Sequence, residues 1–272
     1  MTDLILYHAD YSTCSQKVRI ALAEKGLSYH SKSISFRKEE QVSTAYLKIN
    51  PNGVVPTLVH HGDVIVDSSS ILEYLDEAFP ETALSPSTHI GRAKMRSWLR
   101  FMEEVPTKAI RIPSFEHIFL PTLRIIKSKK SFDKSQMKRT IRHGFYGKMN
   151  RGGGFETKEI SNSVYELRTT VSRINDALES SPWILGEKLT LVDISLVPLI
   201  DRAEDMGMTY LWDDLPRVAD WLKRLQSRAS FRAAFYKKSR ISERLEFKLA
   251  VSRARKQNAR IKLSDILEGS AP

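Results

Sequence analysis

Cysteine is nearly absent from this sequence of 272 residues, in which Cys14 stands alone. A single thiol cannot close an internal disulfide, so the fold has to be held by a hydrophobic core. Long apolar runs are also missing, because no stretch approaches the roughly 18 residues of a membrane-spanning helix. The first residues, MTDLILYHAD, lack the basic and then apolar pattern of a secretory signal. We therefore expect a cytoplasmic protein without a membrane span.

Acidic residues are scarce in two segments, although the whole chain has 43 lysines and arginines against 32 acids and a net charge of +11. Residues 122–151 hold ten basic residues against Asp133 alone, and residues 236–262 hold ten against two acids. The remainder, including residues 1–80, is net acidic. Solvated helix faces or a docking surface for an anionic partner would explain such segments. No nucleic-acid recognition motif or interleaved aromatic residues accompany them, so nucleic-acid binding is not expected.

Residues 3–80 alternate short strand and helix patterns. LILYH is an apolar run typical of a buried strand, and Ser15–Lys25 carries a helical apolar stripe that ends at a glycine. A second strand fits Tyr29–Ile34, and PTLVHHGDVIV reads as two strands around a turn. Ser68 then opens a helix that stops before Pro80. This order predicts a small mixed sheet with helices packed on it.

The rest of the chain reads as helical. PETALSPST is typical of a linker, so we expect a first domain at 1–80, a linker at 81–88 and an all-helical domain at 89–272. Within the second domain, the stretch from Pro113 to Glu156 is predicted to be an irregular basic insert, and the chain is predicted to close with a basic helix and tail. The overall class is α+β.

One short motif, Val54-Val55-Pro56-Thr57, precedes a predicted strand. Proline has no amide hydrogen, and a cis Val55–Pro56 bond would turn the Val55 N–H and C=O outward. Such a residue can pair with an extended peptide as a missing strand would. An ordinary trans entry into the strand is the alternative for the motif taken alone.

The surroundings of this motif resemble a known family. LILYH, YSTCS, QKVRIALAEKGL and LKINPNGVVPTLVHHGDVIVDSSSILEYLDEAFP follow the order and spacing of the thioredoxin-like domain of the glutathione transferase superfamily. WILGEKLTLVDISLVPLIDRA resembles a buried helix motif of the same family, in which Thr190 and Asp193 would form a capping box. The resemblance implies a β-α-β-α-β-β-α domain followed by a helical bundle.

The resemblance also implies a glutathione site and no metal. Glutathione would pair through its backbone with Val55, the residue before the cis-proline Pro56. Asp67 and Ser68, at the start of the next helix, match the residues that hold the γ-glutamyl end. Some relatives carry a basic side chain where this chain has Val54, which leaves Gln41 as a candidate for the glycyl end.

The chemistry is expected at YSTCS, where three residues are candidates. Ser12 matches the serine of theta-like members and the cysteine of omega-like members, Cys14 matches the cysteine of reductive hydroquinone dehalogenases, and Ser15 matches a serine of bacterial β-etherases. A serine would donate to the glutathione thiolate, whereas a cysteine would form a mixed disulfide. Tyr7 and Tyr11 are further possible donors, with Tyr7 predicted to lie in the core.

The resemblance implies a glutathione-dependent transferase that acts on an aromatic or hydrophobic electrophile. LKINPNGVVP, SSSILEYLDEAFPE and RAKMRSWLRFMEE are similar to the β-etherases that cleave lignin-derived aryl ethers, and the opening is similar to ganglioside-induced differentiation proteins. The alternatives are a non-catalytic docking protein and a Cys14-dependent reductive dehalogenase. The family also implies a homodimer or heterodimer. We expect an electrophile pocket between the domains, touched by two or three of the following side chains while the others are core: Trp98, Phe101, Met102, Phe115, His117, Phe119, Phe145 and Tyr146.

Overall fold

The first half of the chain is a four-stranded sheet with three helices. The computed structural model describes residues 3–126, 138, 140, 141, 143–148 and 153–261. The elements of this half are, in chain order, β1 Leu4–His8, α1 Thr13–Glu24, β2 His30–Ser33, α2 Thr44–Ile49, β3 Thr57–His60, β4 Asp63–Val66 and α3 Ser68–Ala78. The strand order is β2-β1-β3-β4, with β1 parallel to β2 and the other pairs antiparallel. The predicted β-α-β-α-β-β-α domain is confirmed.

The second half is a bundle of helices, which confirms the α+β class. Its helices are α4 His89–Glu104, α5 Pro106–Ala109, α6 Arg111–Ser114, α7 Leu120–Ile126, α8 His143–Gly147, α9 Thr157–Ala177, α10 Leu191–Asp205, α11 Pro216–Gln226, α12 Ala229–Ala234 and α13 Lys248–Asn258. Among the described residues, no helix combines the length and apolarity needed to cross a membrane.

Helix α1 is buried on every side because it lies between the sheet and the bundle. Its polar side chains Gln16, Lys17 and Arg19 are all at most 2% exposed. Each has a partner in the second half. The Gln16 amide donates to the Ser239 carbonyl at 2.9 Å, and Arg19 Nε donates to the Ala234 carbonyl at 3.0 Å. Buried polar groups need such partners, so α1 fixes how the two halves meet.

The start of the expected insert is more regular than the sequence indicates. We expect irregular structure from Pro113, but the chain stays helical to Ile126 through a π-helical turn at Phe115–Phe119. Pro113 lies in the four-residue α6, and Pro121 is the second residue of α7. Proline has no amide hydrogen, so the helical hydrogen-bond pattern is interrupted at each proline, and Pro121 comes directly after the π-helical turn. Short helical pieces therefore accommodate both prolines.

The basic C-terminal segment folds back on the rest of the chain. Arg240 pairs with Asp201, Arg244 with Asp10 at 3.3 Å, and Arg255 with Asp205 at 3.1 Å. Asp201 and Asp205 belong to α10, whereas Asp10 follows β1. Three of the arginines that made this segment a candidate docking surface thus neutralise buried or half-buried acids of the same chain.

Asp193 fixes the start of α10 from inside the core. Its carboxylate is fully buried and accepts hydrogen bonds from the Thr190 amide and hydroxyl at 3.0 and 3.1 Å. It also accepts from the Ile184 amide at 3.1 Å and the Trp221 indole at 3.0 Å. The predicted capping box is confirmed, and its second residue also anchors α11.

We predict that Asp193→Ala lowers the free energy of unfolding by about 3 kcal/mol or more, because four buried donors lose their acceptor. Urea denaturation followed by circular dichroism measures the change. The matched control is Asp214→Ala, which breaks the ion pair of the half-exposed Asp214 with Arg168 and is expected to cost less than about 1 kcal/mol. Equal losses in the two variants would contradict the role of Asp193.

His8 ends β1 and lies beneath the loop that leads to α1. It is 2% exposed, its Nε2 lies 2.7 Å from Ser31 Oγ and its Nδ1 lies 3.2 Å from the guanidinium of Arg19. Burial and the neighbouring Arg19 lower the pKa of His8 to about 4, while Asp10 opposes the shift. The imidazole is therefore neutral in the folded protein at neutral pH.

The free energy of unfolding is predicted to fall as the pH drops from about 6.5 to about 4, because the unfolded chain then takes up a proton that folded His8 refuses. With the pKa of His8 lowered to about 4, the free energy of unfolding should be roughly 3 kcal/mol smaller at the acidic end of this pH range than at neutral pH. Chemical denaturation at stepped pH values measures it. His8→Gln removes the titrating group, so this part of the slope should vanish; an unchanged slope would show that other groups cause it.

Candidate functional site

A cavity of about 420 Å³ lies between the two halves of the molecule. The first half contributes residues 9–14 after β1, residues between 33 and 41, and Val54 with Val55. The bundle contributes residues between 110 and 123, Tyr146 and Arg202, and the C-terminal segment closes the wall with residues 244, 246 and 247. The cavity thus occupies the place expected for a pocket between the domains.

The N-terminus of α1 opens into this cavity. Ser12 caps the helix by accepting from the Ser15 amide at 3.3 Å, and both Ser12 and Cys14 line the cavity. Since its oxygen already accepts a bond, the Ser12 hydroxyl has its proton available for a ligand. Ser15 lies elsewhere: it is fully buried, and its oxygen accepts from the Ala9 amide at 3.3 Å. Of the three candidates, Ser12 and Cys14 therefore share one wall, and Ser15 lies behind it.

The Val55–Pro56 peptide bond is cis. The carbonyl of Val54 is occupied, because it accepts from the Tyr46 hydroxyl at 2.7 Å and from the Asn50 amide at 3.0 Å. Val55 itself lines the cavity, and neither its N–H nor its C=O bonds to any described residue. A backbone edge with free donor and acceptor is therefore available to an extended peptide.

Asp67 and Ser68 lie next to this edge, outside the cavity wall. Thr57 pairs with Val66 across β3 and β4, which places Asp67 opposite Pro56 in the register. Asp67 Oδ1 caps α3 by accepting from the backbone amides of Ser69 and Ser70, at 2.9 and 3.2 Å.

The backbone of Asp67 has φ 76°, a conformation that a residue with a side chain rarely adopts and that concentrates at ligand sites. Neither Asp67 Oδ2 nor the Ser68 amide and hydroxyl bonds to a described residue. The start of α3 thus keeps an acidic acceptor and two donors available beside the Val55 edge.

Gln41 reaches the cavity from the other side of Val55. Its side chain lines the wall and is 4% exposed, and its carbonyl oxygen is buried without a hydrogen-bond partner among the described residues. Because an unpaired buried amide is costly, this group is suited to a ligand that supplies the partner.

The opposite wall is aromatic. Of the side chains predicted to form the pocket, Phe115, Phe119 and Tyr146 line it, and the other five do not. Tyr11 and Phe247 complete the surface, with ring centroids 5.3 Å apart. Burial raises the pKa of Tyr11, so its hydroxyl stays protonated at neutral pH.

The remaining pocket candidates include Trp98, Phe101 and Met102 of α4. Trp98 and Phe101 pack under the guanidinium of Arg173, and Met102 is fully buried beside Lys17. These side chains belong to the bundle core.

Two arginines of the wall were not found by the sequence argument. Arg244 stacks 4.7 Å from the Tyr11 ring centroid and pairs with both Asp10 and Glu246. Arg202 is 6% exposed and donates to the Tyr11 carbonyl. Burial lowers the pKa of Arg202, while the carboxylates of neighbouring acids oppose the shift. The sequence did contain a signal for Arg202, because it is a charged residue next to the apolar run LVPLI.

The described part of the insert reaches across to the first half. Thr140 Oγ1 lies 2.8 Å from Asn52 Oδ1 and 3.2 Å from the Pro51 carbonyl. Asn52 lies three residues before Val55, so this contact ties the insert to the loop that carries the free backbone edge.

Within the described ranges, no three His, Cys, Asp or Glu side chains gather into a group that could hold a metal ion.

Comparison with known proteins agrees with this geometry. Residues 6–83 match the glutathione S-transferase N-terminal domain, and residues 157–224 match the C-terminal domain of the same family. Protein LigF of Sphingobium sp. is 26% identical over 87% of this chain and 95% of its own length. The crystal structure of beta-etherase LigF superposes with a TM-score of 0.77 at 25% identity, covering 86% of this chain and 99% of that one.

Two further relatives are similar over most of the chain. A probable maleylacetoacetate isomerase of Caenorhabditis elegans is 30% identical over 75% of this chain and 80% of its own length. The tetrachloro-p-hydroquinone reductive dehalogenase of Sphingobium chlorophenolicum is 23% identical over 86% and 96%. Both family domains are thus present, in order, around a cavity lined by the N-terminus of α1 and the residue before a cis-proline. The chain belongs to the glutathione S-transferase family.

Proposed function

We propose that the protein is a glutathione-dependent transferase whose thiolate attacks an aromatic electrophile in the interdomain cavity. One observation carries the proposal: the unpaired backbone edge of Val55 and the hydroxyl of Ser12 line the same cavity. Glutathione would add to the sheet at Val55, with its γ-glutamyl end at Asp67 and Ser68 and its glycyl end at Gln41. Its sulfur would then lie at the start of α1, facing the aromatic wall.

Ser12 is the residue best suited to stabilise the thiolate. Lowering a thiol pKa by about two units needs about 2.7 kcal/mol of preferential stabilisation, which a hydroxyl donor and first-turn amides of a helix can supply. Ser12 holds the helix start through its oxygen and keeps its proton for the sulfur. The first-turn amide dipoles of α1 point to the same place.

The specific reaction that we favour is cleavage of a β-aryl ether. The glutathione sulfur would form a bond to the carbon that carries the aryloxide, and the carbon–oxygen bond would break with its electron pair leaving on oxygen. The aryloxide then takes up a proton, so a thioether and a phenol are the products. The similarity to beta-etherase LigF supports this choice, and the wall of Tyr11, Phe119 and Phe247 suits an aryl group.

A reductive reaction at Cys14 is the second candidate, favoured by the position of Cys14 on the cavity wall. The Cys14 thiolate would attack the sulfur of a glutathione–substrate thioether, releasing the reduced substrate carbon as its carbanion, which takes a proton. A mixed disulfide of Cys14 with glutathione remains, and a second glutathione returns Cys14 and leaves as the disulfide. Similarity to a reductive dehalogenase supports this route.

A non-catalytic docking protein of the same fold is the competing class. Isothermal titration with glutathione separates the classes, since binding in the micromolar to low millimolar range is expected of the transferase. Asp67→Asn and Ser68→Ala should each weaken the binding.

Size-exclusion chromatography with light scattering tests the dimer that we expect.

Ser12→Ala is predicted to lower kcat/KM for a β-aryl ether ketone by about 100-fold, as removal of one positioned donor does in other active sites. Thioether and phenol are quantified by chromatography against the uncatalysed rate. Ser12→Thr keeps both hydroxyl and cap and should retain most of the activity.

The matched control for the lost helix cap is Ser43→Ala. Ser43 caps α2 by accepting from the Tyr46 amide at 3.2 Å and lies outside the cavity wall. Its loss should leave kcat/KM within about threefold of the wild type, because only about 1 kcal/mol of capping is removed. If Ser12→Ala and Ser43→Ala gave the same small change, Ser12 would be a cap and not a catalytic donor.

Cys14→Ala distinguishes the two candidate reactions. Ether cleavage should persist in this variant, whereas reduction of a chlorinated hydroquinone by glutathione should disappear, because the mixed disulfide cannot form. Mass spectrometry of wild-type protein after turnover would detect a glutathione adduct on Cys14 if the reductive route operates. Loss of ether cleavage in Cys14→Ala would require a direct role for the thiol in that reaction.

A further inference from the structure

Arg202 is a buried cation that faces the cavity and forms no ion pair with any described carboxylate. It is 6% exposed and lines the wall, and its only hydrogen bond to a described residue runs from Nη2 to the Tyr11 carbonyl. A guanidinium has five N–H donors, so most of its donor capacity remains available. Asp205 and Asp201 offset only part of the burial cost of this charge, because burial still lowers the pKa of Arg202. A buried guanidinium with N–H groups left over is a strong binding site for an anion.

The acids around Arg202 are taken by other arginines. Its chain neighbour Asp201 pairs with Arg240, and Asp205, one helical turn away, pairs with Arg255 at 3.1 Å. The two acids of the cavity wall nearest the C-terminal segment, Asp10 and Glu246, both pair with Arg244. The basic C-terminal segment thus pairs with these four carboxylates, and none of them forms an ion pair with Arg202.

A second unpaired arginine lies on the same side. Arg111 lines the cavity from α6, and its side chain makes no hydrogen bond or ion pair with a described residue. Helices α6 and α10 meet here, because Ser114 Oγ lies 3.4 Å from Met206 Sδ, one turn after Arg202. The bundle wall therefore combines aromatic surface with two guanidinium groups that form no ion pair with a described residue.

We infer that this wall selects electrophiles that carry a carboxylate, which Arg202 binds through its free N–H groups and Arg111 supports. The inference rests on the proposed function and names its substrate class, an aromatic acid with a leaving group. Glutathione does not supply this anion, since the free backbone edge, Gln41 and the start of α3 all belong to the first half. Carboxylates suit a guanidinium because two oxygens match two parallel N–H donors.

Matched acid and amide electrophiles test this recognition. The probes are 4-chloro-3-nitrobenzoate and 4-chloro-3-nitrobenzamide, with the corresponding phenylacetate and phenylacetamide as a longer pair. In each, the glutathione sulfur bonds to the carbon that loses chloride. Each kcat/KM is divided by the uncatalysed second-order rate constant to remove intrinsic reactivity. We expect the acid of at least one pair to be favoured by at least about tenfold, and Arg202→Met to abolish the preference.

Variants separate recognition from folding. Arg202→Lys keeps the charge and should retain part of the preference, whereas Arg111→Met should reduce the acid-to-amide ratio. Arg173→Met is the matched control, because Arg173 stacks on Trp98 and Phe101 in the bundle, outside the cavity wall, and its loss should leave the acid-to-amide ratio unchanged.

A binding measurement keeps the result independent of turnover. Isothermal titration of 3-nitrobenzoate and 3-nitrobenzamide is made with the protein saturated by S-methylglutathione, which fills the sulfur site without reacting. If the acid binds more tightly than the amide and Arg202→Met removes this difference, the inference is supported. Absence of turnover with every electrophile would defeat the proposed function but not the inference. Equal binding and equal normalised kcat/KM of acid and amide in both pairs would overturn the inference.

Discussion

The polar side chains of α1 are the constraint on which the arrangement of this protein depends. Gln16, Lys17 and Arg19 are buried in the middle of a helix that also carries apolar residues on every turn. Across to the second half, their hydrogen bonds go to main-chain carbonyls at Ala234 and Ser239 and to side chains of α4. Because these side chains are buried, water cannot replace their partners. The bundle is therefore held where it supplies them, and the N-terminus of α1 faces the cavity between the two halves.

The two walls of the cavity consequently differ in kind. The sheet side offers main-chain groups, a helix start and the unpaired side-chain carbonyl oxygen of Gln41, all suited to a peptide. The bundle side offers rings and guanidinium groups, which suit a planar acidic molecule. In the proposed reaction, the peptide thiol and the aromatic partner would therefore not compete for the same contacts.

The sequence predicted what local signals determine. The strand Leu4–His8, the hairpin around the turn at Gly62 and the capping box at Thr190 follow from patterns a few residues long, and the structure has all three. The cis bond before Pro56 became predictable only through the family resemblance. Local rules failed at Pro113, where they indicated an irregular segment and packing against the bundle keeps the chain helical.

Of the candidate site, the sequence predicted the residues on the sheet side but not the arginines on the bundle side. Its residues there lie in short motifs, whereas Arg202 is nearly 200 residues from the Tyr11 carbonyl that it contacts. Ser12, Cys14 and Ser15 were equivalent by sequence, since the choice between the cavity and the interior depends on the rotation of α1. That rotation is fixed by contacts with the bundle.

The late position of the C-terminal segment has a consequence for synthesis. A chain that leaves the ribosome N-terminus first exposes α1 long before Ala234, Ser239, Arg244 and Phe247 emerge. Until then, the Gln16 amide and Arg19 Nε lack their acceptors and the cavity lacks one side. The thioredoxin-like half therefore cannot complete its own interior during translation, and a functional site forms only when nearly the whole polypeptide has been made.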